Sequence, residues 1–246
     1  MSLFNKIYGV FSVLFLIAAS LLIALLTGIP LMLIPRKHRW KFGIWTNVAL
    51  AHFYLRGPPL FCRVSKKGLE NIPRNRGFLA VANHRSAVDI PLMIADTHAQ
   101  GLSKKNVLYI PGVGILGYLG GALYFNRKDR NARKRVLQRA VDCMLAGQAL
   151  HVYPQGTRVS DGREVRIHLG MVKACYNAGI PVLPAAIVDT DKVAGGNVAV
   201  RPFQKVKVSY LPVIEPADFS DADAFAQKCW DTVVAESQSL RDSSAL

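Results

Sequence analysis

From Ile7 to Pro35 the chain carries no charged side chain and almost every position is apolar. A run of that length is enough to cross or enter a bilayer. The apolar part of a secretory signal is shorter and leads into a cleavage site of small residues. Here the apolar character continues past Thr27-Gly28-Ile29-Pro30 into Leu31-Met32-Leu33-Ile34, which predicts a retained anchor with a break at Gly28 and Pro30. Residues 40–56, with Trp40, Phe42, Ile44, Trp45, Val48, Leu50, Phe53 and Tyr54, read as a second, aromatic-rich interfacial helix. The pattern leaves two arrangements open, a span and a hairpin that dips into one leaflet. Gly57-Pro58-Pro59 closes this part, so residues 1–57 are expected to form membrane-anchoring helices and residues 58–246 a second domain.

Beyond Pro59 the pattern changes to short apolar runs alternating with amphipathic stretches. Residues 78–82, 121–125, 149–153 and 181–188 are continuous enough to be buried strands, and Lys205 to Leu211 alternates as a half-exposed strand would. Helical periodicity covers 90–99, 131–146 and 169–178, the last closed by Gly179. Ser220 and Asp223 resemble a helix start, with Phe225, Trp230, Val233, Val234 and Leu240 as the apolar stripe that follows. Strands alternating with helices predict an α/β fold, with a largely parallel or mixed central sheet flanked by helices.

Charge narrows the partners. With 31 Lys+Arg against 16 Asp+Glu, the net charge of +15 favours anionic ones. The basic run Arg127 to Arg135 lies at the start of a predicted helix. Beside an apolar anchor it points to anionic lipid, and no aromatic-rich binding motif accompanies it to suggest nucleic acid. Arg36, Lys37, Arg39 and Lys41 follow the anchor and only Lys6 precedes it, which puts the rest of the chain on the cytoplasmic face. Cys62, Cys143, Cys175 and Cys229 are scattered singly, as buried thiols in a reducing compartment would be.

Two segments carry chemistry. In Asn83-His84-Arg85-Ser86-Ala87-Val88-Asp89 a histidine follows a predicted strand, and a carboxylate stands in the first turn of the next helix. A tight turn lets Asp89 accept from one ring nitrogen of His84 and leaves the other to take a proton, so the nucleophile would be a substrate hydroxyl. Tyr153-Pro154-Gln155-Gly156-Thr157-Arg158 turns at the end of another predicted strand, and Arg127 ends a third. In a parallel sheet these ends share one edge, where Arg127 and Arg158 could meet one phosphate with the backbone at Gly156 and the hydroxyl of Thr157. A serine hydrolase is disfavoured, because no G-x-S-x-G occurs.

The chain resembles the glycerolipid acyltransferases, the 1-acyl-glycerol-3-phosphate acyltransferase family. Their blocks N-H-x-S-x-x-D, G-x-x-F-[I]-x-R, [FY]-P-E-G-T-R and a proline-flanked strand are matched in order by Asn83 to Asp89, Gly121 to Arg127, Tyr153 to Arg158 and Ile180 to Ala185. The resemblance implies transfer of a fatty acyl group from acyl-CoA or acyl-carrier protein to a lysophospholipid, giving phosphatidic acid, with no metal or bound cofactor. His84 would be the base and Asp89 its orienter. Asn83, Ser86, Lys105, Arg127, Gln155, Gly156, Thr157 and Arg158 would contact substrate. Membrane lipid would be a partner, as would acyl-carrier protein where it is the acyl donor, and nucleic acid would not. A bacterial inner membrane would be the site. Gln155 departs from the family's Glu, and Ile167-His168-Leu169-Gly170 lacks the lysine often found before the glycine. Both changes point to an altered acceptor, or to a lipid-surface binding protein without turnover.

Overall fold

The computed structural model describes residues 2–126, 128–159, 165–195 and 199–245. Helix α1 (Leu3–Leu33) is followed by α2 (Arg36–Arg56), then β1 (Arg63–Lys67), β2 (Leu79–Ala82), α3 (Asp89–Thr97), β3 (Gln100–Lys104) and α4 (Val113–Leu119). The chain continues through β4 (Leu123–Phe125), α5 (Arg130–Leu145), β5 (Leu150–Val152), α6 (Gly170–Asn177), β6 (Val182–Val188), the short α7 (Thr190–Val193), β7 (Lys205–Tyr210) and α8 (Ala222–Ala245).

The seven strands form one sheet in the order β1-β7-β6-β2-β5-β3-β4. Strands β2 to β6 run parallel to one another, and β7 runs antiparallel to β6 with β1 parallel beside it. The sheet is therefore mixed, and the carboxyl ends of β2, β3, β4, β5 and β6 share one edge. Strands β2 and β6 are buried at every position, as central strands covered on both faces must be. One face packs Ala80, Ala82, Leu183, Ala185 and Ile187 against Leu55 of α2 and Leu92 and Met93 of α3. The other packs Leu79, Val81, Leu150 and Val182 against α5, α6 and α8 through Met144, Cys175, Phe225 and Trp230.

The expected break at Gly28 and Pro30 is absent, because α1 continues to Leu33 with Pro30 inside it. Pro30 removes only one backbone donor, three residues before the helix ends, where little of the helix remains to be disrupted. The carbonyls of Met32 and Ile34 are then covered by the Arg39 guanidinium at 3.1 and 3.2 Å. The second helix starts at Arg36, earlier than the aromatic pattern at 40–56 predicts.

Candidate active site

The loop between β2 and α3 is built around one buried carboxylate. Asp89 has no exposed surface. Its Oδ2 accepts from the backbone N–H groups of Arg85 at 2.7 Å and Ser86 at 2.9 Å, and from His84 Nδ1 at 2.8 Å, while Oδ1 accepts from the Thr190 hydroxyl at 2.5 Å. A buried carboxylate is costly to hold unless its lone pairs are met, and here four donors converge on it. Because the carboxylate can only accept, Nδ1 of His84 carries the hydrogen. The tautomer leaves Nε2 as the basic nitrogen, and no side chain among the described residues bonds to it.

The turn after β5 closes on the same histidine. His84 donates its backbone N–H to Gln155 Oε1 at 2.6 Å, and its carbonyl accepts from Val159 N at 2.9 Å. Its ring lies on that of Tyr153, with centroids 4.2 Å apart and planes within 13°. Gly156 turns the chain at φ +64°, a conformation that disfavours a side chain. Strand β5 is the neighbour of β2, so this turn lies directly beside the base.

A third segment, at the end of β6, braces the loop. Besides the bond from Thr190 to Asp89, Arg85 forms a two-point ion pair with Asp191, Nε to Oδ1 at 2.9 Å and Nη2 to Oδ2 at 2.8 Å. Ser86 Oγ donates to the Ala194 carbonyl at 2.8 Å. Sequence reasoning missed Thr190 and Asp191, since nothing in their spacing reports that β6 lies next to β2.

Of the residues expected at substrate, His84 and Asp89 are together and Gln155, Gly156, Thr157 and Arg158 form the adjoining turn, with Thr157 and Arg158 exposed. Asn83 and Ser86 lie in the same loop as His84, with their side chains bonded to backbone. The Asn83 carboxamide exchanges two hydrogen bonds with the Ile187 backbone, at 2.7 and 2.8 Å, which clamps β2 to β6, and Ser86 is fully buried. Gln155 likewise directs its oxygen at the His84 backbone. Lys105 is exposed in a 3-10 turn after β3 and lines a cleft of about 580 Å³ with Tyr124, Asn126, Arg135 and Arg139. Arg127 lies outside the described residues. Strand β4, which precedes it, is three strand positions from β2, about 14 Å at the usual spacing.

Burial shapes the surrounding groups. His151 lies within the sheet below Tyr153, with Nδ1 3.0 Å from the Ala99 carbonyl, and desolvation lowers its pKa to about 4. Burial, with a smaller contribution from the Asp89 charge, pushes the Tyr153 phenol well above its usual range, so it stays protonated.

The model of the acyltransferase family matches residues 63–188, just over half of the chain. Among curated proteins, a chloroplast 1-acyl-sn-glycerol-3-phosphate acyltransferase of Brassica napus is 27% identical over 183 residues, covering 72% of this chain and 51% of that protein. One from Borreliella burgdorferi is 27% identical over 157 residues, covering 63% and 62%. The chain thus spans about half to three fifths of the length of such relatives. In fold it is similar to the crystal structure of the 1-acyl-sn-glycerophosphate acyltransferase PlsC from Thermotoga maritima. The TM-score is 0.79 at 24% identity, over 97% of this chain and 95% of that one.

Proposed function

The chain belongs to the acyltransferase family, and on that premise we propose that it transfers a fatty acyl group from a thioester to the free hydroxyl of 1-acyl-glycerol-3-phosphate, giving phosphatidic acid. The observation that carries this reading is the His84–Asp89 pair, 2.8 Å apart at the carboxyl edge of the sheet and bordered by the turn that presents Thr157 and Arg158. The names of the relatives agree with it.

The acceptor hydroxyl gives its proton to His84 Nε2 as its oxygen attacks the thioester carbonyl carbon. Asp89 holds the ring in the productive tautomer and faces the positive charge that develops on it. The tetrahedral intermediate collapses by breaking the carbon–sulfur bond, and the imidazolium returns the proton to the departing thiolate. General-base assistance of this kind is worth about two to four powers of ten, and correct positioning of the hydroxyl adds to it. Thr157 and Arg158 receive the acceptor phosphate, presented by the turn at Gly156, with Arg127 and Lys105 as further cations. The two substrates supply all the chemistry, so neither metal nor bound cofactor is invoked. The thiol carrier is coenzyme A or a carrier protein, and the net charge of +15 suits an acidic one. Helix α1 seats the protein in the membrane, with the α/β body on the cytoplasmic side, where Arg36, Lys37, Arg39 and Lys41 follow the helix.

The test is product formation by purified protein in detergent, with acyl thioesters and a panel of lysolipids, beside His84→Ala. Phosphatidic acid from the wild type and at least a hundredfold loss in the variant, roughly the lower bound of general-base catalysis, is the expected outcome. Equal turnover by both proteins would remove His84 from the mechanism, and no product with any acceptor would remove the activity.

A further inference from the structure

The turn expected to take the acceptor phosphate and the loop that carries the base are fastened together at three points of one residue. His84 is held by its N–H, through Gln155 Oε1, by its carbonyl, through Val159 N, and by its ring, against Tyr153. Gln155 supplies the one contact in this set that a side chain makes to the backbone of the base. Of the two ends of the carboxamide only the oxygen can accept from an N–H, so its orientation follows from the chemistry. Resting on the acyltransfer reading above, we propose that Gln155 is a positioning residue for His84 and that its replacement of the family's Glu leaves the choice of acceptor unchanged.

Several observations support this. The oxygen that a glutamate would offer to the same N–H is present in glutamine, so the fastening survives the substitution. What glutamine removes is a negative charge on the residue that bonds the same histidine as the buried Asp89 carboxylate, in the turn that presents Arg158. An anionic acceptor meets less repulsion there, which runs against any shift away from phosphate. The Tyr153 phenol, buried and without a partner among the described residues, offers no hydrogen bond to the turn or the base. Ring stacking, the Val159 bond and the Gln155 bond therefore fasten His84 to the turn, while Asp89 holds the ring from the other side. Because Gln155, Thr157 and Arg158 occupy one tight turn, a phosphate that settles on the turn also settles the base.

The test uses the full chain in detergent and compares Gln155→Leu, which keeps the bulk and loses the acceptor, with Gln155→Glu, which keeps an acceptor. Misplacing a catalytic group by about 1 Å costs on the order of a hundredfold. We expect Gln155→Leu to lose about ten- to a hundredfold in kcat with KM within about threefold of wild type, as misplacement of the base alone requires. Gln155→Glu should recover most of that loss and rank the lysolipid panel as the wild type does. A readout independent of turnover is the ring-current shift of the His84 Hε1 proton, assigned by its absence in His84→Ala. It should relax toward the free-histidine position in Gln155→Leu, with the melting temperature recording that the protein is folded. Wild-type kcat in Gln155→Leu, an unmoved Hε1 shift in a folded Gln155→Leu, or a reordered acceptor ranking in Gln155→Glu would each overturn the proposal. Should the wild type itself turn over no lysolipid, the proposed function falls, and the Hε1 shift alone decides whether Gln155 aligns the base.

Discussion

Thr190 completes a carboxylate that sequence reading credits to a two-residue motif. With Asp89 fully buried, its Oδ1 has the Thr190 hydroxyl as partner while Oδ2 takes the other three donors. Removing that hydroxyl strands one lone pair of a buried charge, a loss of about 1–3 kcal/mol or more, and frees the carboxylate to rotate about the histidine. Thr190→Val keeps the shape and deletes the donor. Its kcat should fall about tenfold, equivalent to about 1.4 kcal/mol, with KM little changed and with Thr190→Ser restoring most of it. Steady-state kinetics on the three proteins would check this, and a Thr190→Val enzyme with full kcat would show that three donors suffice. His84 and Asp89 were legible because their bond spans five positions in one loop. Thr190 lies 101 positions beyond Asp89, and the contact exists only because β2 and β6 are neighbours. Asn83 and Ser86 have the polarity of substrate ligands, yet they are engaged by backbone that the same neighbouring strand delivers.

At the level of elements, the sequence exposes those that bury continuous apolar runs. Strands β2, β5 and β6 and helices α5, α6 and α8 lie within a few residues of their predicted bounds. The start of α8 is capped by Asp221, whose carboxylate accepts from Asp223 N and Ala224 N, one residue after the expected Ser220. Strands β1 and β3 were invisible. β1 is Arg-Val-Ser-Lys-Lys at the sheet edge, where charge protects unpaired backbone, and β3 is Gln-Gly-Leu-Ser-Lys, which has no apolar alternation. The reason for a glycine in β3 is visible only in the sheet. Gly101 pairs with His151, and a Cβ there would stand 2.9 Å from the imidazole Nε2. His151 is thereby enclosed and neutral, with a pKa lowered to about 4 against an ordinary 6.5. Above pH 6.5 neither folded nor unfolded protein binds this proton, and the contribution of the neutral ring is intact. Between 6.5 and about 4 the unfolded chain takes up the proton and the folded one does not, so stability is lost as pH falls, at up to roughly 1.4 kcal/mol per unit. Melting temperatures in detergent from pH 7.5 to 5 should fall more steeply for wild type than for His151→Gln, which cannot titrate. Parallel curves would mean that the ring is solvated.

Helix α1 is inside out with respect to the rest of the molecule. The residues it buries are Gly9, Ser12, Ser20, Gly28 and Leu31, mostly small or polar, and Ser12 Oγ donates to the Pro59 carbonyl at 3.0 Å. Its outer side carries Leu22, Leu25, Leu26 and Ile29, each more than half exposed. A core helix of a water-soluble protein shows the opposite pattern, and only 17% of the most apolar window of α1 is buried. Small residues at the protein contact and large apolar ones outside are what a helix needs when its surroundings are lipid and its neighbour must approach closely. The helix abuts the α/β body as well as α2. A Cβ on Gly112, just before α4, would meet the α1 backbone at Leu21 N within 2.5 Å. Helix α1 is thus fixed to the body at several places, at α2, at the turn before α4 and at Pro59. On the membrane attachment proposed above, two forces would hold the assembly to a bilayer, apolar insertion of α1 and attraction of the cationic segment after it to anionic headgroups. They separate experimentally, since salt screens the second and leaves the first. Leu22→Glu with Leu25→Glu places two charges on the lipid side at about 2.5–3.5 kcal/mol each near a bilayer centre, and leaves the buried side untouched. Wild type should stay in the membrane pellet through a high-salt wash, whereas the double variant should move to the supernatant. Retention of the double variant at high salt would mean that α1 is not what holds the protein to lipid.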